Sequence, residues 1–137
     1  MKKTIVSLLL LLCPLLGNAE LVVVTGKNSA VNSLSENEVR QLFSGQLRSL
    51  GGQRVQPLDM PNSSKEREAF YQKLLGRTPE QMRAYWTRLI FTGQGQPPRE
   101  VSSAQELSTL VGSSGDFIGY LPAEAAGENV KVLYRIQ

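Results

Sequence analysis

Asn62-Ser63-Ser64 is a run of three polar residues directly ahead of an apolar-periodic segment, with Lys65 and Arg67 close behind. At a helix start such a run offers hydroxyls, free backbone N–H groups and the positive end of the helix dipole, the usual setting for an oxyanion. Lys65 and Arg67 add cations to that setting. A plainer reading competes. Ser63 and Glu66 are spaced as a capping box, and a cap of this kind stabilises by about 1 kcal/mol without any ligand. Glu66 and Glu68 also fall in the same first turn, where their charge repels an anion.

Other chemistry is thinner. Asp59, Asp116 and several Glu could supply paired carboxylates, and Ser-Lys chemistry needs no His. Nothing fixes their spacing, and the sequence has no nucleophile elbow, P-loop or metal motif. The chain has 137 residues with no His and one Cys. Ser-His-Asp and Cys-His catalysis and imidazole metal sites are therefore excluded, as are internal disulfides and thiolate zinc cages. The expectation is no catalytic residue, no metal and no cofactor.

Two surfaces carry weaker signals. Lys65, Arg67, Lys73, Arg77, Arg83, Arg88 and Arg99 spread across the helical middle and the loop after it. They read first as a solvated face, and second as a docking surface for an acidic partner or an anionic cell-envelope polymer. No aromatic platform or basic run resembles a nucleic-acid reader. The stretch Phe91 to Pro98 is either a recognition loop or a rigid connector, since paired prolines pre-set an extended chain.

The elements that must position these residues follow from periodicity. Leu21 to Thr25 is a continuous apolar and β-branched run, predicting a buried strand. Ser35 with Glu38, and Leu34 against Val39, form a capping box with a hydrophobic staple for a helix ending near Gly45. Gly51-Gly52 marks a turn before a strand over 54–58 with Val55 inward. A second helix starts at 62–64, carries Phe70, Tyr71, Leu74 and Leu75, and stops at Gly76. Thr78, Pro79 and Gln81 open a third helix. Its Met82, Tyr85, Trp86, Leu89 and Ile90 form a core stripe at helical spacing, with Arg83 and Arg88 turned to solvent. Ser103 and Glu106 cap a short fourth helix bearing Leu107, Leu110 and Val111. Strands over 117–121 and 130–136 close the chain, and Gly119 inside the first of them suggests a close approach or a bulge. Strands separated by helices predict an α/β domain, a mixed sheet flanked by helices.

The first residues stand apart. Lys2 and Lys3 precede an apolar run from Ile5 to Leu16, far short of the roughly 20 residues that span a bilayer, and Gly17-Asn18-Ala19 follows. This predicts a secretory signal over 1–19, with 20–137 as the exported domain. A lipoprotein signal at Cys13 is set aside, because Leu12 precedes that Cys and Pro14 follows it. Cleavage removes the one Cys and both lysines, so the +3 formal charge shrinks toward neutrality. A periplasmic location fits such a chain.

The run Leu34-Ser35-Glu36-Asn37-Glu38-Val39-Arg40-Gln41-Leu42-Phe43-Ser44-Gly45 resembles the L-S-x-x-E-[IV]-x-x-[IL]-F-x-G helix of phosphate-type (type 2) periplasmic solute-binding proteins of ABC transporters. Pro57-Leu58-Asp59, Phe70 and the later Gly115-Asp116-Phe117-Ile118-Gly119-Tyr120, similar to that family's G-x-I-G-Y strand, agree in order. The resemblance implies the fold of one lobe of such a protein. It also implies phosphate or a similar small oxyanion as ligand, held by Asp59 and Ser63 or Ser64; the reading of the helix start adds Asn62 and Arg67 to that set. A membrane transporter or envelope protein is the implied partner. Two departures stand out. The family's lobes work in pairs, so one lobe needs a second copy (a homodimer) or a partner lobe to close over its ligand. The run corresponding to the family's R-x-D-G-S-G-T is here Pro57-Leu58-Asp59-Met60-Pro61-Asn62-Ser63-Ser64, without its Arg or its glycines. The alternative reading is a periplasmic interaction or accessory module that keeps the fold and has lost the anion site.

Overall fold

A computed structural model describes residues 20–137; the predicted signal over 1–19 lies outside the described residues. The run Leu21–Gly26 forms β1 and is buried along its whole length, as a strand covered on both faces must be. It is antiparallel to both neighbours: β6 (Phe117–Pro122) on one side and β7 (Val130–Ile136) on the other. On the far side of β6, β4 (Gln56–Asp59) runs parallel to it and carries the two-residue edge strand β5 (Arg99–Glu100). The order is β5-β4-β6-β1-β7, a mixed sheet. A separate small hairpin, β2 (Ser49–Leu50) and β3 (Gln53–Arg54), turns at Gly51-Gly52.

The helices start where their side chains can close the first turn. In α1 (Glu36–Phe43), Ser35 and Glu38 form the reciprocal capping box, and in α3 (Pro79–Phe91) Thr78 and Gln81 do the same. Ser103 caps α4 (Ala104–Ser113), while the Glu106 carboxylate accepts instead from the backbone N–H of Ser102. Between α1 and α3, α2 (Lys65–Phe70) runs directly into a π-helical turn over Tyr71–Leu75, ended by Gly76 at φ 63°.

Helix α4 lies close against the sheet because Gly119 of β6 makes room for it. A Cβ on Gly119 would come within 2.8 Å of the fully buried Leu107 side chain. The suggested close approach is therefore real. Phe43, Phe70 and Tyr120 gather α1, α2 and β6 into one aromatic cluster, with the Phe70 and Tyr120 rings stacked 3.8 Å apart. Burying each such ring contributes about 1.5–3 kcal/mol.

Four expectations need correction. The strand expected over 54–58 begins later, because Arg54 belongs to the hairpin and the Val55 N–H is bonded to Arg48 O. Val55 is nonetheless buried. The cap of α2 is Ser64, not Ser63: Ser64 Oγ accepts from Arg67 N, and the chain turns first through Ser64 N to Pro61 O. The stripe on α3 is core only in part. Met82 and Trp86 are buried, with Trp86 against Gly45 just after α1, but Ile90 one turn further on is 54% exposed. Finally, Arg99, expected in the loop after the helical middle, forms with Glu100 an edge strand paired with β4.

Candidate functional site

The last residue of β4, Asp59, is the most deeply placed acid in the fold, 2% exposed. A carboxylate there is costly unless its oxygens find donors. Tyr120 OH donates to Oδ1 and Tyr71 OH donates to Oδ2. Met60 N–H also points at Oδ1, at 3.1 Å, and lies 3.2 Å from the Tyr120 oxygen. Each donor has a structural origin. Tyr120 faces inward on β6, and Tyr71 opens the π-helical turn, whose wider coil follows α2 without a break.

Arg67 closes the remaining side. Its Nε stands 3.6 Å from Asp59 Oδ2, its Nη1 donates to Met60 O at 3.0 Å, and its guanidinium lies over the Tyr71 ring at 5.2 Å. On its outer side, Nη1 lies 3.8 Å from Glu100 Oε1 of the edge strand. That same Glu100 oxygen accepts the backbone N–H of Asn62 at 2.6 Å. Carboxylate, guanidinium and carboxylate therefore form a chain leading from the interior to the start of α2.

The electrostatics follow from burial. Desolvation pushes the Asp59 carboxyl above its ordinary value, although Tyr120, Tyr71, Arg67 and the Met60 N–H all pull it back. Tyr71 and Tyr120 are raised by burial and then by the neighbouring Asp59 charge, so both hydroxyls stay protonated as donors. Burial opposes the charge on Arg67, and Asp59 with the other acidic groups around it restores that charge.

Of the residues singled out from the sequence, the structure brings Asp59 and Arg67 into contact and links Arg67 to the Asn62 backbone through Glu100. Ser64 is spent as a cap, and Ser63 is exposed. Tyr71, Tyr120 and Glu100 were not among them. Tyr120 left a usable signal: a Tyr in an otherwise apolar strand needs a partner for its hydroxyl when buried. Among the described residues, no group of His, Cys, Asp and Glu is placed to hold a metal ion. No helix there is long and apolar enough to cross a membrane.

No family model matches the sequence, and no curated protein matches it. Solved structures do. An ABC-type phosphate transport receptor from Vibrio cholerae superposes with a TM-score of 0.67 at 18% identity, over 84% of this chain and 45% of the receptor. A Clostridium perfringens chain, described as a phosphate ABC transporter substrate-binding protein with bound phosphate, gives 0.68 at 18% identity, over 84% and 44%. PstS from Borrelia burgdorferi gives 0.63 at 17%, over 84% and 46%. The fold is one lobe of a phosphate-type binding protein. The chain spans less than half the length of each of these proteins. The first two are a receptor and a substrate-binding protein by description, and the likeness at this identity is one of fold.

Proposed function

We propose that the chain is an exported module with the solute-binding fold whose oxyanion seat is held by its own Glu100. It acts in the periplasm as an interaction or accessory component rather than as a vessel for phosphate. One observation carries this reading: the Asn62 N–H, which an anion at the start of α2 would need, is given to Glu100 Oε1 at 2.6 Å. The same carboxylate faces Arg67, whose other side is turned to Asp59. An incoming phosphate would meet a fixed negative charge, and the guanidinium it needs is already neutralised.

A second reading has its own support. The Glu100 side chain is 51% exposed and sits on a two-residue edge strand, so it could swing out and leave Asn62, Ser63, Ser64 and Arg67 to a phosphate-like oxyanion. The chain would then serve ABC-type uptake, with a second copy or a partner lobe closing over the ligand. Calorimetric titration with phosphate and sulfate, on wild type and on Glu100→Gln, separates the two. The expected result is no heat at millimolar anion in wild type. Saturable binding in wild type that tightens in Glu100→Gln and weakens in Ser63→Ala would establish the second reading and overturn the first.

A further inference from the structure

A second concavity lies on the other side of β5. Successive residues of a strand point to opposite faces, and here Glu100 reaches α2 while Arg99 lines a half-open groove of about 840 Å³. Its floor is Trp86, whose ring edge is held against Gly45; a Cβ on that glycine would stand 3.0 Å from the indole. One wall is the hairpin β2–β3 and the segment leading into it, the other the loop from Gly93 to Pro98. Arg48 ties the two walls together by donating from Nη2 to Gln94 O at 3.1 Å.

The charge of this groove is one-sided. Arg48, Arg54 and Arg99 all line it, and no Asp or Glu does. Among the described residues, none of the three has an ion-pair partner within 4.0 Å. Guanidinium groups are forked donors matched to carboxylates, and three gathered in a concave site raise the local demand for negative charge. The groove is also far too large for one small oxyanion, falling in the size range of sites for drug-sized ligands. Its rim is apolar at Ile90, 54% exposed, and at Pro97 and Pro98 opposite. Pro97 and Pro98 give the far wall a fixed, extended backbone with no N–H to donate.

We infer that this groove docks an extended acidic peptide segment of another protein. Its carboxylates pair with Arg48, Arg54 and Arg99, and one apolar side chain packs between Ile90 and Trp86. The apolar rim favours a peptide over an anionic polysaccharide, and the concavity favours it over a flat lipid surface. The site is separate from the start of α2, so anion heat that is lost in Arg54→Glu but unchanged in Ser63→Ala belongs to this groove and not to that helix start.

The chain reports occupancy itself, because Trp86 is its one Trp. The probe is a fluorescein-labelled nine-residue peptide of alternating Asp and Glu with one central Leu, followed by anisotropy, with an unlabelled copy followed by Trp86 emission. Saturable changes in both are expected at low salt, weakening as salt is added. Arg48→Glu with Arg54→Glu should weaken binding at least tenfold. Arg54→Glu alone, an exposed residue of a two-residue strand, should weaken it severalfold with circular dichroism unchanged. Arg83→Glu on the outer face of α3 should leave it unaltered. A peptide with Lys in place of the acids should not bind. The inference is overturned if the acidic peptide gives no saturable signal, or if Arg54→Glu binds it as wild type does. It is equally overturned if phosphatidylglycerol vesicles or alginate shift Trp86 emission while the peptide does not.

Discussion

Asp59 shows what one buried carboxyl demands of its surroundings. Two tyrosine hydroxyls, a backbone N–H and a guanidinium converge on it, yet burial still leaves its proton held more tightly than in the unfolded chain. The linkage has a definite sign. A carboxyl with a raised native pKa makes the folded state bind more protons than the unfolded one, so its contribution to stability falls as pH rises. That contribution is complete below the unfolded value of about 4 and is lost as pH climbs through the raised native value. The comparison that isolates it is wild type against Asp59→Asn, by urea denaturation from pH 3.5 to 7. The wild-type advantage should be largest at the acid end and shrink toward neutrality. An advantage that grows with pH would mean that the four donors outweigh desolvation and that the native carboxylate is favoured.

At the scale of the element, the caps decide where helices begin, and α2 shows how a local signal can be off by one residue. Ser63 and Ser64 are equivalent in type, and Ser63 even has Glu66 at the right distance, so spacing alone selects Ser63. What decides for Ser64 is the turn closed onto Pro61 O and the hold of Glu100 on Asn62, a partner 38 residues away. Ser64→Ala should therefore lower stability by about 1 kcal/mol, and Ser63→Ala should change it little; equal losses in thermal melts would contradict this cap. The boxes at Ser35 and Thr78 were legible because each helix there begins from purely local bonds. The same distinction governs the site. Asp59 could be picked out from its motif, whereas Tyr120, 61 residues along the chain, signals that its hydroxyl needs a partner but not which partner. Ile90 departs from expectation for a related reason, since helical spacing says which face a residue is on but not how far along the helix its covering partners extend. Gly119 was legible as an exception within a strand, and its role predicts a cost. Gly119→Ala drives a methyl into Leu107, which is fully buried and has nowhere to move. Overpacking of this kind costs about 1–3 kcal/mol, and a smaller side chain at 107 should recover part of it in the double variant.

For the whole molecule, the order β5-β4-β6-β1-β7 sets a gradient of stability from centre to edge. Strand β1 is buried at all six positions and bonded on both sides, while β5 has two exposed residues and a neighbour only in β4. That weak edge is also where both candidate surfaces meet, with Arg99 facing the groove and Glu100 facing α2. Local opening draws on the least-buried backbone bonds first. Native-state hydrogen exchange should thus be slowest for the amides of Val22 to Thr25 and Ile118 to Leu121. Val101, whose N–H is bonded to Asp59 O at 2.9 Å, should open well before them, together with the hairpin over 49–54. The ranking bears on function as well as folding. If β5 opens locally, Glu100 can leave Asn62 without disturbing the four strands behind it, and the proposed oxyanion seat is gated by an element of low stability. If the Val101 amide exchanges only with global unfolding, β5 is a fixed part of the sheet, and freeing the seat then depends on the Glu100 side chain alone. Slow exchange at Val101 combined with no phosphate heat in wild type would fit a fold whose anion seat is permanently filled from within.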